Sequence, residues 1–267
     1  MEVKFESRSF AKRMKSMLKV DFRRMFTTPL FYIMVGICLA IPILMLVMTT
    51  MTEGSVRVDP KTGVETISEG YENAWQIVGS ASGEGSGTSM DMTNMCNINL
   101  LYFFAAVFVG HFVTNEFKSG YAKNLFAVRS KKSDYVISKS VSCIVCGICM
   151  ILAFLTGTIL GGVISGLSFD AGMAGTGEII MCFLSKMLLM SAFVPVYLFM
   201  SVVAKEKTWL SLVGSFCIGI LFFSMIPVLT PLNSGIINIV KCLAGGALFN
   251  MGFGAVSNQI LKRTSLV

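Results

Sequence analysis

The stretch from Leu30 to Met51 (LFYIMVGICLAIPILMLVMTTM) contains no charged side chain. About 20 consecutive apolar residues, each adding about 1.5 Å of helix length, are enough to cross the hydrocarbon core of a bilayer. Pro42 stands near the middle of the stretch and predicts a kink, because its ring disturbs the helical hydrogen-bond ladder. The stretch therefore predicts a membrane-spanning helix at residues 30–51.

Further apolar runs follow along the chain, and together they predict the fold class. The predicted spans after the first are 95–114, 140–165, 179–204 and 209–229, with a weaker sixth run at 235–256. The sixth is weaker because Asn238, Lys241 and Asn250 interrupt it. We expect an all-α polytopic transmembrane bundle of five or six spans, with residues 30–267 as the transmembrane domain.

The composition of the whole chain agrees with a membrane environment. Of the 267 residues 54% are hydrophobic and only 14% are charged, and the mean hydropathy is +0.73. Soluble domains carry about 25% charged residues. The eight cysteines lie mostly within apolar stretches, so no disulfide framework is predicted. The net charge of +7 comes from basic residues that flank the apolar runs, which membrane topology explains better than a nucleic-acid surface.

Residues 1–29 predict a cytoplasmic interfacial helix. Within residues 8–26, apolar side chains recur at helical spacing and basic side chains fall on the other side, a pattern typical of a helix lying on the inner leaflet. The apolar set is Phe10, Met14, Met17, Leu18, Phe22 and Met25, and the basic set is Lys12, Lys15, Lys19 and Arg23. Asp21 interrupts the apolar arc, and Pro29 is expected to end the helix. Two roles fit this helix, that of a passive membrane anchor and that of a moving part of the protein.

The charges between the spans predict the orientation. Residues 1–29 and 115–139 are rich in Lys and Arg, whereas residues 52–94 carry mostly acids and many Gly, Ser and Thr residues. The positive-inside rule places the N-terminus and the 115–139 loop in the cytoplasm of a cell-membrane protein, and the flexible 52–94 loop outside. The side of the C-terminus depends on whether residues 235–256 cross, which the sequence leaves open.

The segment between spans two and three contains an ordered set of residues. Glu116-Phe117 is an acidic-aromatic pair, Gly120 follows it, and Lys123-Asn124-Leu125 comes next; Tyr135-x-x-Ser138-Lys139 closes the segment. This arrangement resembles the intracellular loop of type-2 ABC transporter permeases, the membrane-spanning subunits of bacterial ABC exporters. The interfacial N-terminal helix and the long outer loop after span one also follow each other in the same order as in members of that family.

The resemblance implies a function and partners. It implies a permease subunit of an ATP-driven exporter, which forms the path for an amphipathic or hydrophobic cargo such as a peptide, an antibiotic or a lipid. A separate cytoplasmic ATPase would bind ATP and Mg, and a second permease, identical or related, would complete a dimer. A short helix in the loop 115–139 would dock in a groove of the ATPase. The residues assigned to coupling are Glu116, Phe117, Gly120, Tyr121, Lys123, Asn124, Leu125 and Phe126.

The end of the chain departs from the family. Members usually finish with a clean sixth span, whereas the run at 235–256 is broken. The region therefore leaves two alternatives open, a crossing helix or an outer re-entrant segment with the last span missing.

The chain lacks the chemistry of an enzyme. No Gly-x-x-x-x-Gly-Lys-Ser/Thr stretch is present, so we expect ATP hydrolysis in the partner and no cofactor in this chain. The only histidine, His111, has no nucleophile at a telling spacing. Cys143, Cys146 and Cys149 recur every three residues, a spacing that drifts around a helix, so packing is favoured over a metal site.

Two features of the spans each have two interpretations. Lys186, a candidate pathway residue, lies about two turns into the fourth run and could face a cavity or extend to the outer interface. The pairs Gly157-x-x-x-Gly161 and Gly162-x-x-x-Gly166 allow close helix contact within or between subunits.

Two alternative functions fit the sequence. One is an ATPase-independent secondary transporter or channel, which the few ionisable residues of the spans disfavour. The other is a membrane scaffold.

Overall fold

A computed structural model describes residues 10–54, 56–58, 65–67, 70–79, 96–128, 132–170 and 175–263. In these ranges the chain is an all-α bundle, which confirms the predicted fold class. Much of the predicted outer loop, including most of its Gly- and Ser-rich part, lies outside the described residues, as does the segment 129–131.

The described residues form nine α-helices. They are α1 (Phe10–Thr27), α2 (Pro29–Thr52), α3 (Leu100–Lys118), α4 (Tyr121–Val128), α5 (Lys132–Ser165), α6 (Thr176–Ala204), α7 (Thr208–Phe223), α8 (Met225–Leu229) and α9 (Ile236–Arg263). Between α2 and α3 lie a short antiparallel pair of strands, β1 (Val56–Val58) and β2 (Glu65–Ile67), and a 3₁₀ helix, Ala74–Ile77. Val56 pairs with Ile67 in the hairpin.

Five of the described helices are long and apolar enough to cross a membrane: α2, α3, α5, α6 and α9. α7 is apolar but has only 16 residues, and α8 follows it after Ser224. The broken run at 235–256 lies inside the continuous 28-residue helix α9. Its length and composition favour a crossing helix over a re-entrant segment. The residues at which each span enters and leaves the membrane stay predictions.

The junction of α1 and α2 follows from Pro29. α1 ends at Thr27, Thr28 is extended (φ −81°, ψ 121°), and Pro29 begins α2. A proline disfavours helical backbone in the residue before it but suits the first turn of a helix, where its missing N–H is not needed. α1 buries Met17, Asp21 and Met25 against the bundle.

The ends of α1, α5 and α9 meet at one end of the bundle, which we call the α1 end. Arg13 on α1 forms an ion pair of 2.8 Å with Asp134 at the start of α5. Lys132 Nζ donates a hydrogen bond of 2.5 Å to the carbonyl oxygen of Leu261, near the end of α9. At the opposite end, which we call the hairpin end, Trp75 Nε1 donates to the Phe169 carbonyl oxygen at 2.9 Å. The last turn of α9 therefore lies on the same side as the basic N-terminal helix.

The glycine pair of α5 brings it close to α2 within this chain. A Cβ at Gly157 would meet the carbonyl oxygen of Leu39 and lie 2.7 Å from Pro42 Cγ, and a Cβ at Gly161 would lie 2.9 Å from Ile43 Cα. Real Cβ atoms do not approach other atoms so closely. The first glycine pair therefore serves contact between helices of one chain.

We predict that Gly157→Ala destabilises the protein by about 1–3 kcal/mol, because the added methyl group must push α2 away from α5. The matched control is Gly252→Ala on α9, where a Cβ would meet nothing within 4 Å. The control should be neutral or stabilise by up to about 1 kcal/mol through helix propensity. Unfolding of both variants in detergent micelles measures the difference. Equal stability of the two variants would contradict the close contact.

Candidate functional site

Glu116 and Lys139, both from the resembling segment, form a buried ion pair at the α1 end. Lys139 Nζ lies 2.5 Å from Glu116 Oε1 and 2.5 Å from Oδ1 of Asp21 on α1. The side chains of Glu116 and Lys139 are 0% exposed and that of Asp21 is 4% exposed. One buried cation thus binds two carboxylates from two other helices.

Arg24 makes the cluster electrically neutral. Its Nη1 lies 2.5 Å from Glu116 Oε1, and its guanidinium stacks over the Tyr121 ring at 4.1 Å. With Arg24 included, two positive and two negative side chains share the site. We call Asp21, Arg24, Glu116 and Lys139 the buried charge cluster.

Every carboxylate oxygen of the cluster accepts a hydrogen bond. Tyr135 OH donates to Glu116 Oε2 at 2.9 Å, and Ser138 Oγ donates to Asp21 Oδ2 at 2.5 Å. The Phe112 ring lies 4.6 Å from Lys139 Nζ. Buried ions are tolerated when they are paired and their remaining hydrogen-bonding groups are satisfied. The cluster meets both conditions.

Local sequence explains why these side chains meet. α5 has 34 residues and a length of about 50 Å, well beyond the ~30 Å of a bilayer core, so its first turns extend past the apolar part. Tyr135 and Lys139 are four residues apart on this extension and share a face. Asp21 occupies the apolar arc of α1, the side that packs on the bundle. The acid that interrupts the apolar pattern is the residue that binds Lys139.

The structure divides the predicted coupling loop 115–139 among three helices. α3 continues to Lys118, Gly120 adopts a left-handed conformation (φ +73°) in the turn, and α4 begins at Tyr121. Glu116 and Phe117 are buried in α3, not exposed on a docking helix. Both residues contact helices of this chain, so they offer no surface to a partner here.

The apolar face of α4 also turns toward this chain. Tyr121, Leu125 and Phe126 are half-buried, and the Phe126 ring meets the Tyr135 ring edge-on at a centroid distance of 5.1 Å. Lys123 and Asn124 are exposed. The surface that α4 offers to a partner is therefore polar and basic, while its larger apolar side chains face this chain. The coupling role itself remains a prediction.

Sequence reasoning noted Asp21 and Lys139 but assigned neither of them a role, and it missed Arg24. Two signals were present: an acid inside an apolar helical arc, and a lysine at the mouth of an apolar span. Neither signal identifies its partner, because Asp21 and Lys139 are distant in sequence.

Lys186 is 1% exposed on α6, so it does not extend to an interface in this structure. Its Nζ lies 3.0 Å from Thr230 Oγ1 and 3.3 Å from Asn99 Oδ1. Lys186 therefore binds polar side chains inside the bundle, and its place in a transport pathway stays a prediction.

No group of three or more His, Cys, Asp or Glu side chains suited to a metal occurs among the described residues. Cys143 and Cys146 are buried in the helical core, and the chain's cysteines are free thiols.

These features define a polytopic helical membrane protein whose amphipathic N-terminal helix is joined by buried ion pairs to the two long helices on either side of a short helix. The chain belongs to the ABC-2 transporter family: the family described as "ABC-2 family transporter protein" matches residues 17–224, from α1 to the end of α7. No characterised protein and no solved structure matches the chain. The chain is thus a membrane subunit of an ABC transporter, and its family implies an ABC ATPase as partner and usually a second permease.

We predict that Lys139→Met destabilises the protein by about 3–5 kcal/mol, because it leaves two buried carboxylates with one cation. Lys123→Met on the exposed face of α4 is the control and should change stability by less than about 0.5 kcal/mol. Thermal unfolding in detergent micelles measures both.

The double variant Asp21→Asn with Lys139→Met tests charge balance directly. It removes one charge of each sign and keeps the Arg24–Glu116 pair, so it should be more stable than Lys139→Met alone. If the two substitutions simply added their losses, packing and not charge would account for the stability of the cluster.

Proposed function

We propose that the chain is the permease subunit of an ATP-driven exporter in the cell membrane, coupled through α4 to a separate cytoplasmic ATPase. ATP and Mg bind to that ATPase, and this chain contributes no catalytic residue. The permease pairs with a second copy or a related chain, and the pair forms the path for an amphipathic or hydrophobic cargo such as a peptide, an antibiotic or a lipid.

The observation behind this proposal is the position of α4. It presents Lys123 and Asn124 outward, while its other face packs on the helix that contains Tyr135. Arg24 of α1 links α4 to α3, because it stacks on Tyr121 of α4 and pairs with Glu116 of α3. A force applied to the exposed face of α4 would thus reach α1, α3 and α5 together.

The orientation follows from charge. The basic residues of α1 and α4 and the pair Lys262 and Arg263 lie toward the α1 end. The positive-inside rule assigns this end to the cytoplasm. The N-terminus, the α4 surface and the end of α9 then all face the compartment that contains the ATPase.

The exposed apolar faces of the bundle suit lipid, a second permease and an apolar cargo. Large apolar side chains are exposed along α2, α7 and α9, among them Ile33, Leu44, Val213, Leu221, Leu243 and Met251. When the two ATPase subunits close on each other, α4 and the helices joined to it would move. The opening between the two permeases would then change from inward-facing to outward-facing.

We predict that Lys123→Glu weakens binding of the ATPase at least about tenfold, because it reverses a charge at the proposed contact. The control is Lys19→Glu, the same charge change at an exposed site on α1. Both variants should unfold at the wild-type temperature. The measurement is the amount of ATPase polypeptide, and of its ATP hydrolysis, that co-purifies with each tagged permease.

Two outcomes would count against the proposal. Equal ATPase recovery with Lys123→Glu and Lys19→Glu would remove α4 as the contact. Cargo uptake by liposomes that contain this chain alone, without ATPase or ATP, would favour a secondary transporter.

A further inference from the structure

Lys186 differs from the other buried lysine of the bundle in one respect. Lys139 binds two carboxylates, whereas Lys186 contacts no carboxylate in the part of the chain that the structure describes. Lys186 is nevertheless 1% exposed. A buried ammonium group is costly unless an opposite charge offsets it.

The hydrogen-bond partners of Lys186 are neutral. Thr230 Oγ1, which accepts from Nζ at 3.0 Å, donates its own proton to the Ile226 carbonyl oxygen at 2.8 Å. Asn99 Oδ1 accepts at 3.3 Å, a long hydrogen bond. Such dipoles satisfy individual N–H groups, but within the described ranges of the chain no side chain compensates the net positive charge of the site.

A small cavity adjoins Lys186 at the hairpin end. It is lined by Lys186, Asn97, Asn99, Thr230, Pro227 and Pro231, and its volume of about 10 Å³ admits one water-sized particle. The Asn97 side-chain oxygen is occupied, because it accepts from the backbone N–H of Asn99 at 2.9 Å. That contact leaves the Asn97 amide nitrogen available as a donor beside the ammonium group.

We propose that this cavity binds a halide ion, with Lys186 as the charged ligand and the Asn97 and Asn99 amides as donors. The site takes one negative charge because Lys186 supplies one positive charge. It excludes larger anions because of its volume. The bound anion joins α6 to the start of α3 and to the turn after α8, and therefore stabilises the hairpin end.

The anion site is independent of the ATPase, so it can be tested on the purified chain in detergent micelles. We expect the unfolding temperature to rise in sodium chloride relative to sodium gluconate at equal ionic strength. The rise should reach about 4 °C when chloride is about tenfold above its Kd, and above that it should grow with the logarithm of the chloride concentration. Sodium formate should give no rise, because the three non-hydrogen atoms of formate exceed the volume of the cavity.

Lys186→Met should abolish the anion dependence. Lys241→Met, which removes an exposed lysine of α9, should keep it. Binding of radioactive chloride measures the same site directly and should fall at least about tenfold in Lys186→Met but not in Lys241→Met. Equal chloride binding by Lys186→Met and wild type would overturn the proposal, as would a wild-type protein whose unfolding temperature is insensitive to chloride.

Asn99→Asp keeps the proposal testable if Lys186→Met does not fold. The new carboxylate would stand beside the ammonium group as a built-in counter-ion. The variant should be as stable in gluconate as the wild type is in chloride, and it should not bind chloride. Wild-type chloride binding by Asn99→Asp would contradict the assignment of Lys186 as the charged ligand.

Discussion

The neutralisation of the Lys139 ammonium group by Asp21 and Glu116 is the constraint on which the α1 end of this bundle depends. The three side chains come from α5, α1 and α3 and are almost fully shielded from water. Removing Lys139 leaves two buried carboxylates with one cation. The helices are therefore held in one arrangement at this end, and a shift of one requires movement of the others or breakage of an ion pair.

This constraint changes the meaning of the amphipathic helix α1. An anchor needs only an apolar face toward lipid, yet Asp21 and Arg24 reach into the cluster and Arg13 pairs with Asp134. α1 is thus part of the helical bundle in addition to its amphipathic character. This favours the moving part over the passive anchor, because any displacement of α3 or α5 is transmitted to α1 through charged contacts.

The two buried lysines illustrate two solutions to the same electrostatic problem. Lys139 is neutralised by acids of its own chain, and for Lys186 we infer an anion from outside it. The family match of residues 17–224 includes Lys186, Asn97 and Asn99 but ends before Thr230. The part of the proposed anion site that contains Thr230 therefore lies after α8, outside the matched region.

The sequence alone determined the all-α membrane class, the amphipathic α1 with its end near Pro29, and the family, because hydrophobic periodicity and an ordered motif are local properties. It did not determine that Phe117 is buried, that α4 turns its polar face outward, or that Asp21 binds Lys139. Those features depend on which helices pack together and at what angle. A buried charge shows in the sequence that a partner is needed, but only the tertiary structure brings that partner within hydrogen-bond distance.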